Sequence, residues 1–158
     1  MTAEPAEPAV LGSITLPGVT RSAACARRFT RDVLGPEHPS LHDVRTCVSE
    51  GVTNAVLHTA SGRGGTVTVT FRAAGGMIVT EVTDDGAGGA RPYVRDEPSA
   101  VHGRGLRIID ALTLAWGFRA DGDRTTVWMR FPGPVPAVPG TGGSELARSP
   151  AYTSLSSG

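Results

Sequence analysis

Glu50 and Asn54 are the two residues whose types and spacing first suggest chemistry. They lie four positions apart within the segment SEGVTNAVLH at 49–58. On an α-helix such residues project from nearly the same side, one turn apart. The apolar residues of the same helix fall on the other side: Leu41, Val44, Val48, Val52 and Ala55. Taken alone, this pattern is typical of an amphipathic helix with a solvated polar face. Two glycine-rich segments further along the chain favour a site instead.

The first glycine-rich segment, DDGAG at 84–88, follows a predicted β-hairpin. Residues 66–71 alternate threonine with apolar residues, AAGG at 73–76 supplies a turn, and residues 77–83 form the returning strand. Asp84 shares the strand face of Ile78, Thr80 and Val82. Burial of an unpaired carboxylate costs several kcal/mol or shifts its pKa, so Asp84 needs hydrogen-bond donors. The alternative is an aspartate that caps a turn at the strand end.

The second segment, GRG at 103–105, is predicted to open a helix whose apolar side is Leu106, Ile109, Leu112 and Trp116. Backbone N–H groups at a helix start have no intrahelical partner and carry partial positive charge, which suits phosphate oxygens. Residues 89–102, between the two segments, are predicted to form a loop that acts as a lid.

Two common nucleotide motifs are excluded. A dinucleotide fingerprint requires glycine at the positions occupied by Arg91 and Ile108, and a Walker A loop requires Gly-Lys-Ser/Thr, which the sequence lacks. A nucleotide site of another design remains.

The surrounding elements follow from periodicity and turn residues. A short edge strand is predicted at 13–16, a first helix at 20–34 that Gly35 ends, and a second helix that begins with a capping box of Ser40 and Asp43 and ends before Gly62. Strands at 116–120 and 125–131 flank a turn at 121–123. Thus Val127, Met129 and Phe131 face inward.

Composition sets the class of protein. The chain has 158 residues, 39% of them hydrophobic, and 15 basic against 15 acidic side chains, which predicts one globular domain and no nucleic-acid partner. No long apolar run or secretory signal is present, so we expect a cytoplasmic protein without membrane contact. Cys25 and Cys47 lack metal-site or disulfide spacing and are predicted to be core residues. Residues 1–11 and 132–158 are predicted to be disordered tails.

Three motifs in this order resemble the N, G1 and G2 boxes of the GHKL ATPases. They are ExxxN at 50–54 followed by His58, DxGxG at 84–88 and GxGL at 103–106. The segments VSE at 48–50, TNAV at 53–56, VTDDG at 82–86 and WG at 116–117 are similar to those of the bacterial anti-sigma-factor serine kinases, especially the stand-alone actinobacterial ones. The resemblance covers residues 12–131.

This resemblance implies a fold and an activity. The fold would be a two-layer α/β sandwich of the Bergerat type, with a mixed, mostly antiparallel sheet and helices on one face. The activity would be transfer of the γ-phosphoryl group of ATP, with Mg²⁺, to a serine or threonine of an anti-sigma antagonist, combined with binding of a sigma factor. The alternative is an ATP-dependent binding module that sequesters its partner without phosphotransfer. A homodimer is left open.

The resemblance also implies roles for individual residues. Glu50 would be the general base, Asn54 would hold Mg²⁺, and Asp84 would accept a hydrogen bond from the adenine amino group. The remaining nucleotide contacts would come from Gly86 and Gly88 beside the base, Gly103, Arg104, Gly105 and Leu106 at the phosphates, and Thr126 or its neighbour Thr125 at the adenine. His58 is interpreted as structural.

Overall fold

The computed structural model describes residues 9–86 and 102–137. These residues form five strands and three helices. In chain order the elements are β1 (Ala9–Pro17), α1 (Ser22–Leu34), α2 (Leu41–His58), β2 (Thr66–Ala74), β3 (Met77–Asp84), α3 (His102–Leu112), β4 (Ala115–Asp121) and β5 (Arg124–Pro132). A short 3-10 turn, Ala60–Gly62, follows α2.

The strands form one sheet in the order β1-β2-β3-β5-β4. Every pairing between these strands is antiparallel. The expectation of a mixed sheet therefore needs correction. Strand β4 runs in the same direction as β3, but β5 returns between them, so the two parallel strands are not neighbours.

The hairpin of β2 and β3 forms where the alternating pattern predicts it. Gly75 and Gly76 connect the strands with φ angles of 59° and 76°. Two consecutive positive φ angles give a turn whose twist matches that of the flanking strands, and glycine adopts them without steric cost. The register pairs Val69 with Val82 and Phe71 with Thr80, which aligns the apolar faces of both strands.

The three helices and one face of the sheet enclose the core. Phe29 of α1 contacts Phe71 of β2 with ring centroids 5.9 Å apart. Val44, Val48 and Val52 of α2 are fully buried, as the helical period predicts. The two-layer α/β architecture is thus confirmed. Cys25 and Cys47 are free and buried in this core, and burial raises the pKa of Cys47 to about 12.

The predicted helix boundaries need three corrections. Helix α1 begins at Ser22, two residues later than expected. Ser40 precedes α2, but its side chain does not cap the helix; its hydroxyl instead donates to the Pro132 carbonyl at 2.9 Å. Helix α3 ends at Leu112, so Trp116 belongs to β4 and packs on the core from the sheet.

The predicted tails also begin in the wrong places. Strand β1 extends from Ala9 to Pro17, and its Leu11 is 1% exposed and lies in the core. At the other end, Pro132 completes β5 and Val135 packs against the core. Both boundaries of the predicted domain, 12 and 131, therefore exclude residues that belong to the fold. Most of the predicted tails and of the lid lies outside the described residues.

No helix within the described ranges is long and apolar enough to cross a lipid bilayer.

Candidate functional site

Helix α3 begins directly beside the polar face of α2. A Cβ atom placed on Gly105 would lie 3.0 Å from Nδ2 of Asn54 and 3.2 Å from Oε2 of Glu50. Such distances would be tight for a real Cβ atom. Glycine has no Cβ atom and therefore permits this close approach of the two helices. The fold therefore brings the first and third predicted motifs into contact, although they are about fifty residues apart in the chain.

The second motif joins the same region through strand β3. A Cβ atom on Gly51 would lie 3.2 Å from Cγ2 of Val82, so the helix backbone next to Glu50 packs closely on the strand. Asp84 is two residues beyond Val82 on the same sheet face, because strand side chains alternate. Past the strand end, the Ala60 N–H donates to the Gly86 carbonyl at 2.7 Å. Contacts with the α2 region thus lie on both sides of Asp84.

Within residues 9–86 and 102–137, the hydrogen bonds that Asp84 accepts come from backbone N–H groups. The Gly86 N–H donates to its Oδ1 at 2.7 Å, and Thr125 contributes a second backbone hydrogen bond. Burial raises the pKa of this carboxyl above its ordinary value, the two backbone hydrogen bonds oppose the rise, and the neighbouring Asp85 adds to it. No cationic partner of this carboxylate occurs in the part of the chain that the structure describes, and a partly buried carboxylate of this kind is typical of a binding position.

Gly86 is required at its position by two independent constraints. Its φ angle is 77°, and a Cβ atom there would lie 1.9 Å from the carbonyl oxygen of Asp123 in the turn between β4 and β5. Only glycine combines this backbone conformation with so close an approach. The turn therefore packs directly against the backbone that follows Asp84.

A buried hydrogen-bond network fixes this backbone to the end of α2. Ser61, which is fully buried, donates from Oγ to the Thr66 carbonyl at 2.7 Å and accepts from the Asp85 N–H at 2.9 Å. The Asp85 carboxylate accepts from the Thr66 N–H at 2.9 Å. Sequence reasoning missed Ser61, since its partners are distant and no local pattern marks it.

The start of α3 contains four of the remaining predicted site residues. Gly103, Arg104 and Gly105 lie in its first turn, where N–H groups have no intrahelical acceptor. Arg104 is exposed, whereas Leu106 packs against the core and so holds the helix start in place. Gly88 lies outside the described residues. His58 is the last residue of α2 and is half-buried.

The strand register places Thr125 and Thr126 on different faces of the sheet. Asp84 pairs with Thr125, and Thr83 pairs with Thr126. Paired residues share a sheet face, so Thr125 lies on the face of Asp84 and Thr126 lies on the opposite face. There its hydroxyl contacts that of Thr83 at 2.8 Å. Of the two threonines, Thr125 is thus the one that shares a face with Asp84.

Comparison with protein families identifies the class to which this geometry belongs. The model of the histidine kinase-like ATPase domain matches residues 16–131. The chain belongs to this family. Membership confirms the resemblance of the chain to the GHKL ATPases and implies that the domain binds ATP. No curated protein matches the chain.

Eleven chains of solved structures also match. Among them is the crystal structure of the RsbU and RsbW domains of Rv1364c from Mycobacterium tuberculosis, with 24% sequence identity and a TM-score of 0.59. The match covers 85% of this chain and 33% of the mycobacterial chain. The protein described here therefore spans about a third of the length of that solved chain. At this identity the similarity shows the fold alone.

The residues present fit a nucleotide with its magnesium ion. The space that a Cβ atom of Gly105 would fill lies against an amide oxygen of Asn54 and a carboxylate oxygen of Glu50. Oxygen atoms of this kind are the ligands that Mg²⁺ prefers. The N–H groups of the α3 start suit phosphate oxygens.

Proposed function

We propose that the protein is an ATP-dependent serine/threonine protein kinase of the anti-sigma-factor type. The observation that carries the proposal is the contact of Gly105 with both Glu50 and Asn54. This contact places the carboxylate of Glu50 and the amide of Asn54 side by side at the start of α3. A domain that only binds nucleotide has no need for a carboxylate at this point.

The adenine end of the site is assigned to Asp84, Gly86 and Thr125. The carboxylate of Asp84 accepts a hydrogen bond from the exocyclic amino group, because an ionised carboxylate has acceptors only. Adenine carries an amino group where guanine carries a carbonyl oxygen, so this acceptor selects adenine. Gly86 and Gly88 let the backbone pass close to the base, and the hydroxyl of Thr125 lies on the same sheet face.

The phosphate end is assigned to the start of α3 and the polar face of α2. The N–H groups of Gly103 and Gly105 donate to phosphate oxygens, next to Leu106, and the guanidinium of Arg104 adds positive charge. Asn54 would hold Mg²⁺ through its amide oxygen. The ion would neutralise charge on the phosphate oxygens of ATP.

Glu50 is assigned as the general base for the hydroxyl group that accepts the phosphoryl group. The hydroxyl oxygen of a serine or threonine forms the bond to the γ-phosphorus of ATP. The bond between that phosphorus and the β–γ bridging oxygen breaks, and ADP leaves. Glu50 takes the proton of the hydroxyl. Most of the acceleration comes from positioning and from charge stabilisation.

The partner proteins are assigned from the sequence resemblance. The motifs are similar to those of anti-sigma-factor kinases, and one similar solved structure contains an RsbW domain. We therefore propose that the acceptor serine or threonine belongs to an anti-sigma antagonist, that a sigma factor is the second partner, and that the protein acts in the cytoplasm.

Two substitutions separate binding from transfer. Glu50→Ala is expected to leave the Kd for Mg·ATP within about threefold while it abolishes phosphate transfer, because the base is removed but the nucleotide contacts stay. Asn54→Ala is expected to weaken Mg·ATP binding by about tenfold or more, since the metal loses a ligand. Isothermal titration measures binding, and transfer of radiolabel from γ-labelled ATP to proteins of the source cell measures catalysis.

Thr46→Ala is the matched control, because Thr46 lies on the same helix two turns before Asn54 and its hydroxyl donates to the His42 carbonyl. It should change neither readout. Full transfer by the Glu50→Ala protein would contradict the assignment of the base. Tight Mg·ATP binding by the wild type with no labelled serine or threonine would favour the non-catalytic binding module instead.

A further inference from the structure

The sheet face opposite the helices carries a cleft that the nucleotide site does not use. Its volume is about 540 Å³, and we call it the arginine cleft. It is lined by Arg72, Ala74, Val79, Glu81, Arg119, Trp128 and Arg130. This volume falls within the range of ligand pockets. These residues come from four strands and share one face, as the pairing registers require.

A buried carboxylate holds two of the arginines in place. Glu81 is 6% exposed, although it lies on the face opposite the three described helices. Its carboxylate accepts hydrogen bonds from Nε of Arg72 and, at 2.6 Å, from Nη2 of Arg119. A guanidinium has five N–H donors. Each of these arginines therefore keeps donors for a further acceptor, while its position is already fixed.

An aromatic surface adjoins this cationic pair. The Trp128 indole lies against Gly117, where a Cβ atom would be 2.7 Å from Cζ2 of the ring. The absence of a side chain at Gly117 lets the ring approach the sheet. The guanidinium of Arg130 lies 5.4 Å from the centroid of this ring, within the range of a cation–π contact. The third arginine is thus positioned by Trp128, independently of Glu81.

The charges of the cleft restrict what can occupy it. Three arginines against one glutamate give the lining a formal charge of two positive units, whereas the whole chain is neutral. A nucleic acid requires a broader basic surface than this. A second copy docked symmetrically across the cleft would bring arginines against arginines, which like-charge repulsion opposes. A short acidic peptide matches both the charge and the size.

We propose that the arginine cleft binds an acidic segment of a partner protein. Carboxylates of that segment pair with Arg119, Arg72 and Arg130, and its apolar groups contact Trp128. Arginine suits this role because its planar donor fork matches a carboxylate. The cleft and the nucleotide site lie on opposite faces of the sheet, so the proposal does not rest on the proposed kinase activity.

Fluorescence of Trp128 provides the test. In a Trp116→Phe background Trp128 is the only tryptophan. The protein is titrated with octapeptides of Glu, Ser, Phe and Lys whose net charges run from strongly negative to strongly positive. We expect a saturable change in emission whose affinity rises with negative peptide charge and falls with salt.

Arg130→Glu should weaken the binding of the most acidic peptide by at least about tenfold, because it reverses a charge without touching the ion pairs of Glu81. Arg28→Glu is the matched control, since Arg28 is exposed on α1 in the helix layer, and it should bind like the parent. Both variants should retain the parent's Kd for Mg·ATP, which separates this result from a failure of the nucleotide site.

Three outcomes of the peptide titrations would overturn the proposal. They are no saturable response to any acidic peptide, equal affinity for basic peptides, and equal affinity in the Arg130→Glu protein. A concentration-dependent dimer on size-exclusion chromatography that removes the peptide response would assign the face to a second copy instead, and would equally overturn it.

Discussion

Glu81 and Asp84 are two carboxylates on the same strand, three residues apart, and they face opposite sides of the sheet. Glu81 lies on the face opposite the three described helices and makes ion pairs with Arg72 and Arg119. Asp84 lies at the end of the helix-covered face and is bonded by the backbone N–H of Gly86. One strand thus presents a carboxylate paired with cations and a carboxylate bonded by neutral donors.

The two environments shift the pKa values in opposite directions. Burial by itself would raise the pKa of Glu81, but the hydrogen bonds and charges of Arg119 and Arg72 outweigh it and lower the pKa below its ordinary value. For Asp84 burial is the dominant cause, and its backbone hydrogen bonds only oppose the resulting rise. The comparison shows that partial burial alone does not mark a site, because a structural ion pair accommodates the same group.

The largest effect is expected at Gly86, which shapes the backbone on the Asp84 side. Gly86→Ala should lower the free energy of unfolding by about 2 to 4 kcal/mol, because it combines an unfavourable φ with a backbone clash. Gly122→Ala is the control. Gly122 also has a positive φ, of 62°, but nothing lies within 4 Å of its Cβ position.

The control should cost about 1 kcal/mol. Urea denaturation of both variants measures the difference. Equal losses of stability in the Gly86→Ala and Gly122→Ala proteins would contradict the close approach of Gly86 to the turn at Asp123.

The next largest effect is expected on the affinity for ADP when Asp84 is changed. Asp84→Asn should weaken ADP binding by about a hundredfold, roughly 2.7 kcal/mol. Backbone N–H groups already occupy acceptors of this side chain, so an asparagine amide would present donors towards a donor in either orientation. Glu81→Gln, the matched change on the other face, should leave the Kd unchanged. Isothermal titration with ADP measures the Kd of both variants. An equal loss of ADP affinity in the two proteins would contradict the assignment of the nucleotide site to the Asp84 face.

A smaller effect is expected on stability from Glu81. Glu81→Gln should lower the free energy of unfolding at neutral pH by about 1 to 2 kcal/mol, since two half-exposed arginines lose their common partner. The folded pKa of Glu81 is below its ordinary value of 4.5. Its stabilisation is therefore fully present above that value and is lost as the pH falls through the folded pKa.

Thermal or urea unfolding at several pH values checks this sign. The difference between wild type and Glu81→Gln should be constant near neutrality and should shrink only in the acid range. A difference that grows on acidification would refute the ion-pair interpretation.

The smallest effects separate the two threonines. Thr126→Val removes the hydroxyl contact with Thr83 and should cost about 1 kcal/mol of stability without a change in nucleotide affinity. Thr125→Val should weaken ADP binding several-fold, because its hydroxyl lies on the Asp84 face. ADP titrations and thermal melts of the two proteins test the register. Weaker ADP binding by the Thr126→Val protein, with unchanged binding by the Thr125→Val protein, would assign the nucleotide contact to Thr126.

The sequence predicts those features that depend on local periodicity. The amphipathic pattern of α2 places Glu50 and Asn54 on one side, and the Gly75-Gly76 turn predicts the β2–β3 hairpin. Some features that depend on distant contacts were wrong or missed. Ser40 lost its predicted capping role because a carbonyl 92 residues away accepts its hydroxyl. Thr125 and Thr126 are indistinguishable until the pairing with β3 fixes their faces.

The central claim is that three separated segments form one pocket for Mg·ATP on the helix-covered side of the sheet. Titration of isotope-labelled protein with Mg·ATP, followed by backbone amide NMR, tests it most directly. The account predicts saturable shifts at Gly105, at Gly86 and at Asn54, with no shift at Val79 or Trp128 on the opposite face. The absence of saturable shifts, or shifts confined to the arginine cleft, would contradict it.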